Sequence, residues 1–440
     1  MLNTNLLPGV SLVLISALLG GCGGSDTKIV ERDPIPIEDD HDHDHDDEET
    51  TQGRLLISPK DAASVSVYDI NQQKVIYQLP TSIAPSAIYA SPSYRYGYVI
   101  QRLADRVDVV DGGEWQEDHG DHMHDYSADP KVMAFHTDDS RPTHFVTTDK
   151  QTIIFYDGNA ETATPAKVGV FTEQNVADNG VGNWLNHSNN MHGAAQARGD
   201  YLLSSLRDPA QTSANKVAVY HAHNGFYTDE QILAETCPGL HGSAQTENQI
   251  AFGCTDGVLV VTQNGDNFTA SKIANPASFT GTMRIGTVLG SHHHDEFVGI
   301  ASGQFFVINT AANTITPINW AETNATPAPT AVGYGYADDD ELFVILNSAG
   351  QLTILDSHDF SVKARVQAIG SNVALLPTGS RFELALTPGH VAYVSDPIAN
   401  QIKQINLDEA KITSSLQLDF VPNKFVWLGI AEPTEGGHSH

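Results

Sequence analysis

The sequence predicts an all-β chain folded as a single β-propeller, with eight blades favoured and seven as the alternative. Three observations predict it. Apolar residues recur in short alternating runs, no long segment has helical periodicity, and Gly, Asp, Asn and Pro separate the runs. A strand ending in an apolar pair and then a polar residue also repeats along the chain, and a repeat of that size matches one four-stranded blade.

The chain begins with a targeting segment. Leu6 to Leu19 is an apolar run too short to span a bilayer, and it ends in Leu19-Gly20-Gly21-Cys22 followed by Gly23-Gly24-Ser25. Residues 1–22 therefore read as a lipoprotein-type signal peptide, with Cys22 as the lipidated residue, although the first residues carry no Lys or Arg. The alternative is an ordinary signal peptide with an incidental Cys.

Residues 23–52 read as a disordered linker. It holds Pro34 and Pro36 and then an acidic run in which His41, His43 and His45 alternate with Asp, so nothing in it can bury a core. An imidazole at every second position among carboxylates suits weak, fast-exchanging capture of a divalent metal.

The propeller is expected over 53–432. Its repeat is seen in Ser66-Val67-Tyr68-Asp69, Val109-Val110-Asp111, Phe155-Tyr156-Asp157, Val219-Tyr220-His221, Val260-Val261-Thr262, Val307-Ile308-Asn309, Ile354-Leu355-Asp356 and, more weakly, Ile405-Asn406. The spacing is about 41 to 50 residues, apart from one gap of 64, between positions 157 and 221, assigned to an insertion. Phe420 to Trp427 is placed to return and complete the first blade, which would remove the exposed sheet edges. Residues 433–440 form a flexible tail carrying His438 and His440.

Charge narrows the function. With 54 acidic against 23 basic residues the formal charge is −31, which repels nucleic acid and anionic lipid and attracts cations. No nucleic-acid partner is expected, membrane contact is expected only through the anchor, and the chain reads as a monomer.

The 20 His are clustered. Between the second and third repeats, Glu117-Asp118-His119-Gly120-Asp121-His122-Met123-His124-Asp125 brings three imidazoles among carboxylates, donors that suit four-coordinate Zn2+. His119, Asp121, His122 and His124 are its candidate ligands. His192 and His241 each lie nine residues before the first apolar residue of a strand, Tyr201 and Ile250, and His136 lies nine before Phe145. These three His are expected at one equivalent position on adjacent innermost strands, lining one sector of the central channel. The alternative is a structural role, hydrogen bonding a neighbouring blade. The loop Asn183 to Asn190 leads into His192, is expected on the same face as the His119–His124 loop, and makes His187 a candidate fourth ligand. His292-His293-His294-Asp295 reads as a polar turn or a second, weaker site.

Cys237 and Cys254 lie 17 apart with a strand pattern between them. In an oxidising compartment an even pair favours a disulfide over a metal site, the alternative being two buried free thiols.

Three stretches carry a resemblance: Glu117 to His124, Asn186-His187 through His192-Gly193, and Cys237-Pro238-Gly239-Leu240-His241-Gly242 with Phe252-Gly253-Cys254. Together they resemble the periplasmic zinc metallochaperones of the AztD type. That resemblance implies Zn2+ binding, direct transfer to the solute-binding protein of a zinc ABC importer, a Cys237–Cys254 disulfide, and a flexible Asp/His-rich N-terminus that helps load metal. The lipobox-like Cys22 is a departure and would tether the chain. A metal-dependent hydrolase or lactonase on a propeller, and a non-metal interaction scaffold, are the alternatives. No Gly-x-Ser-x-Gly elbow, phosphate loop or dinucleotide fingerprint is present, so no enzymatic activity is expected.

Overall fold

A computed structural model describes residues 30–31, 53–119, 123–148, 150–322 and 328–431. Cys22, His41, His43, His45, Asp121, His122 and the C-terminal His pair lie outside them.

The described strands form a β-propeller. They fall into eight antiparallel four-stranded runs plus one small added sheet. In the first run the order is Pro422–Leu428, Arg54–Pro59, Ser64–Asp69, Lys74–Pro80. The other innermost strands are Ala87–Ala90, Pro142–Thr147, Ala195–Arg198, Ser243–Gln245, Thr287–Leu289, Ala331–Ala337 and Leu384–Leu386. The third and fourth runs share one sheet because their outermost strands meet in a parallel pairing of Trp184 with Phe226.

Burial explains the pattern read from the sequence. Second strands such as Tyr96–Gln101, Leu342–Asn347 and Val391–Asp396 are buried throughout, since a neighbouring sheet covers each face. Outermost strands such as Lys74–Pro80 and Val362–Gln367 are largely open to solvent. The C-terminal strand closes the ring as expected, with Leu55 opposite Trp427 and Leu56 opposite Val426.

All innermost strands run the same way, so the ring has a face where they start and a face where they end. Between these runs a channel cavity of about 560 Å³, lined among others by Tyr89, His144, Gln196, His241 and Val288.

One register differs from the sequence reading. The repeat lies on the third strand of its run everywhere except at Phe155-Tyr156, which belongs to the second strand, Gln151–Tyr156. The third strand there is Lys167–Thr172. The insertion therefore precedes it. It is the hairpin Glu114–Asp118 and Met123–Ser127, placed between Arg106–Asp111 and Lys131–Thr137.

That hairpin stands on the end face. The Arg54 guanidinium donates to the carbonyls of Gly112 and Ala128 at its base, and Arg95 lies 4.0 Å over the Trp115 ring. Val30–Glu31 adds a third strand, pairing with Ser127 and Tyr126. The connection holding His187 is on the start face, so the shared face expected for the two His loops is not found. Strand direction separates them. Elsewhere, the Sγ atoms of Cys237 and Cys254 stand 2.03 Å apart, with Cα atoms at 5.0 Å. No helix among the described residues is long and apolar enough to cross a membrane.

Candidate metal centre

Three imidazoles converge at the start-face mouth of the channel. His144 sits on the innermost strand Pro142–Thr147, His192 precedes Ala195–Arg198, and His241 precedes Ser243–Gln245. One nitrogen from each lies within 4.8 Å of the others. His144 Nε2 and His192 Nε2 are 3.0 Å apart. Ring centroids are separated by 4.7 Å for His144 and His192, 4.8 Å for His192 and His241, and 5.4 Å for His144 and His241.

The chain fixes which nitrogen faces inward. His192 Nδ1 is 3.1 Å from Asp157 Oδ2, and the same oxygen pairs with Arg102 at 2.9 Å. His241 Nδ1 donates to the Gly286 carbonyl at 2.8 Å. With the proton held on Nδ1, each ring turns its Nε2 lone pair to the centre, the arrangement in which outer carboxylates and carbonyls orient metal-binding imidazoles. The backbone beside His192 is equally constrained. A Cβ at Gly193 would lie 2.0 Å from Ser205 Oγ and 2.6 Å from the Phe155 ring, so only Gly lets the chain pass there.

Electrostatics favour the neutral form of His144 and His241. Burial, then the neighbouring His192 and His241, pushes the His144 pKa down to about 4. Burial also lowers His241, against the opposing pull of the Gly286 carbonyl. Neutral imidazoles are the form that binds a metal. Three imidazoles with room for a fourth ligand at the channel mouth suit Zn2+ that can be exchanged.

The structure gathers two of the three His assigned to this sector. His136 is elsewhere, on the outermost strand Lys131–Thr137, donating to the Ala134 carbonyl at 2.9 Å and lying 3.2 Å from Asp138. Its place is taken by His144. The signal was in the sequence: Tyr201 and Ile250 belong to second strands, and nine residues before Ile153, on the second strand of the third run, is His144. Counting from Phe145, on an innermost strand, gave His136.

His187 is buried rather than turned to the channel. Its Nε2 is 3.2 Å from Ser204 Oγ, its ring packs 5.8 Å from Phe155, and burial lowers its pKa to about 4. On the end face, His119 and His124 face one another across the hairpin at 4.5 Å, and Tyr126 Oη lies 3.3 Å from His119 Nε2. His294 accompanies them on that face, 5.0 Å from His358 and bonded to the Asp340 carbonyl.

Comparison with known proteins extends the resemblance read from the His-bearing stretches. The chain is 22% identical over 419 residues to the zinc chaperone AztD of Citrobacter koseri, covering 89% of this chain and 90% of that one. Crystal structures of Citrobacter koseri AztD match with a TM-score of 0.71 at 21% identity, covering 89% of this chain and 100% of that one. The apo form matches at 0.70 and 19%, covering 87% and 99%. Dihydro-heme d1 dehydrogenase NirN, at a TM-score of 0.54 and 12% identity over 90% of this chain and 79% of that one, shares the fold alone. No family model matches the chain.

Proposed function

We propose that this protein is a periplasmic zinc metallochaperone, which holds Zn2+ as cargo on His144, His192 and His241 and passes it to the solute-binding protein of a zinc ABC importer. The observation that carries this reading is the convergence of three imidazoles within 4.8 Å, two with their outer nitrogens committed to fixed acceptors. The likeness to a zinc chaperone over most of both chains supports it.

The group fits transfer better than catalysis. A hydrolase would need a general base beside the metal. The carboxylate bonded to the cluster, Asp157, is engaged by Arg102 and His192. Zinc on three imidazoles at an open mouth can instead accept an incoming ligand and leave stepwise. His119, Asp121, His122, His124 and the run His41, His43 and His45 serve as accessory capture sites in this reading. Cys22 tethers the chain to the membrane as a lipoprotein, Cys237 and Cys254 form a disulfide, and the protein acts as a monomer.

The test is a zinc titration of the apo protein followed by addition of a zinc-importer solute-binding protein. Binding tighter than micromolar, with zinc moving to the partner and no ester or lactone hydrolysis, is the expected outcome. Zinc binding weaker than micromolar, or zinc that stays put, overturns the reading.

A further inference from the structure

A second convergence of metal-binding groups lies across the channel, on the end face. Asp338 follows the innermost strand Ala331–Ala337. His390 and Asp408 lie in two turns of the next run, after Leu384–Leu386 and after Gln401–Asn406. One donor atom from each of the three lies within 4.8 Å of the others. His390 Nδ1 is 2.8 Å from Asp408 Oδ2 and 3.1 Å from Asp338 Oδ1. The three-imidazole cluster lies at the opposite end of the innermost strands and on other runs.

The three donors come prealigned. The Asp339 amide donates to the Pro388 carbonyl at 2.8 Å, tying the Asp338 turn to the His390 turn. The Leu407 amide donates to the His390 carbonyl at 2.8 Å, tying the Asp408 turn to it as well. Asp338, Asp339 and Asp340 all hold positive φ, at 55°, 45° and 69°. Each such residue costs about 1 kcal/mol, so the turn is held by its surroundings.

We propose that Asp338, His390 and Asp408 form a second divalent-cation site, separate from the three-imidazole cluster. Two carboxylates and one imidazole form the donor set that Zn2+ and Mn2+ accept. A divalent ion there offsets the mutual repulsion of the two carboxylates. The site shares its face with the His119–His124 hairpin and with Glu31 and Gly53, the described residues that bound the Asp/His-rich stretch. It is therefore placed to take metal from that side of the ring.

The test counts metal bound to the full-length apo protein by equilibrium dialysis, with Zn2+ and with Co2+, whose visible spectrum reports its ligands. Asp338→Asn/Asp408→Asn is expected to lose one equivalent while keeping the fold, and His390→Ala is expected to lose the same one. His144→Ala/His192→Ala is expected to lose a different one, so the two sites stand or fall separately. Asp256→Asn/Asp266→Asn, which removes the same charge from exposed positions elsewhere, is expected to lose none. Full stoichiometry in either Asp338/Asp408 or His390 variants overturns the site. So does an equal loss in the charge control.

Discussion

Asp157 holds His192 by its Nδ1 at 3.1 Å and is itself held by Arg102 through the same oxygen. The inward-facing nitrogen of His192 is thus set by a residue outside the three-imidazole group. Outer partners of this kind are worth ~10–100-fold in metal affinity. Asp157→Asn is expected to weaken zinc binding by that factor in a competition titration with a chelator, with the circular dichroism spectrum unchanged. Unchanged affinity would show that His192 is oriented by packing alone.

His144 and His136 make a sharper contrast. His144→Ala removes one of three converging imidazoles and is expected to weaken zinc binding by more than the ~100-fold that losing an outer partner costs. His136→Ala removes a ring bonded to Ala134 and Asp138 on an outermost strand and is expected to leave affinity alone. Isothermal titration of the two variants side by side decides it. Equal losses would place His136 back at the metal.

The contrast also shows what was legible in the sequence. The propeller was, because its repeat is written in apolar pairs that the second and third strands must bury. His192 and His241 were, because both precede a strand by the same offset and both are followed by Gly. His144 was missed because two successive strands of the third run, Pro142–Thr147 and Gln151–Tyr156, are both apolar, and a one-strand slip moves the offset by eight residues. The Asp338, His390 and Asp408 group left no signature, because its members come from three separate turns that meet only when the seventh run packs against the eighth.

Acid should destabilise the fold through its buried histidines. Burial holds His187 at a pKa of about 4, against ~6.5 in the unfolded chain. Between these values the unfolded state binds more protons, so stability is fully present above about pH 6.5 and is lost as pH falls toward 4. The full difference is worth about 3 kcal/mol at most. His144 and His241, also lowered, act in the same direction. Urea midpoints of the zinc-free protein across that range should fall with pH, and less steeply for His187→Gln. Parallel slopes would mean that His187 is not kept neutral.

Cys237 and Cys254, 17 positions apart, stand at bonding distance, Cys254 directly after the strand Gln249–Gly253. Closing a loop of that size is worth about 3 kcal/mol. Reduction, or Cys237→Ser/Cys254→Ser, is expected to lower the denaturation midpoint accordingly. It should also loosen zinc, since Cys254 adjoins Gly253, whose carbonyl accepts the His241 amide at 3.1 Å. A midpoint unaffected by reductant would indicate free thiols.

A large buried side chain sits at the ring closure. Trp427 lies on the C-terminal strand, is 0% exposed, and packs over Gly53, where an added Cβ would sit 2.1 Å from its Nε1. Replacing it by Ala deletes the largest fully buried side chain among the described residues, where the first and last strands of the ring meet, at a cost of about 3–5 kcal/mol. Gly53→Ala should also destabilise, because the indole has to move. The two effects share one contact and are therefore not additive. Gly53→Ala is expected to cost much less in a Trp427→Leu background than in the wild type. Chemical denaturation of the four proteins in this cycle measures the coupling. Additive costs would show that Gly53 is constrained by something other than the indole, and that the ring closes through backbone pairing alone.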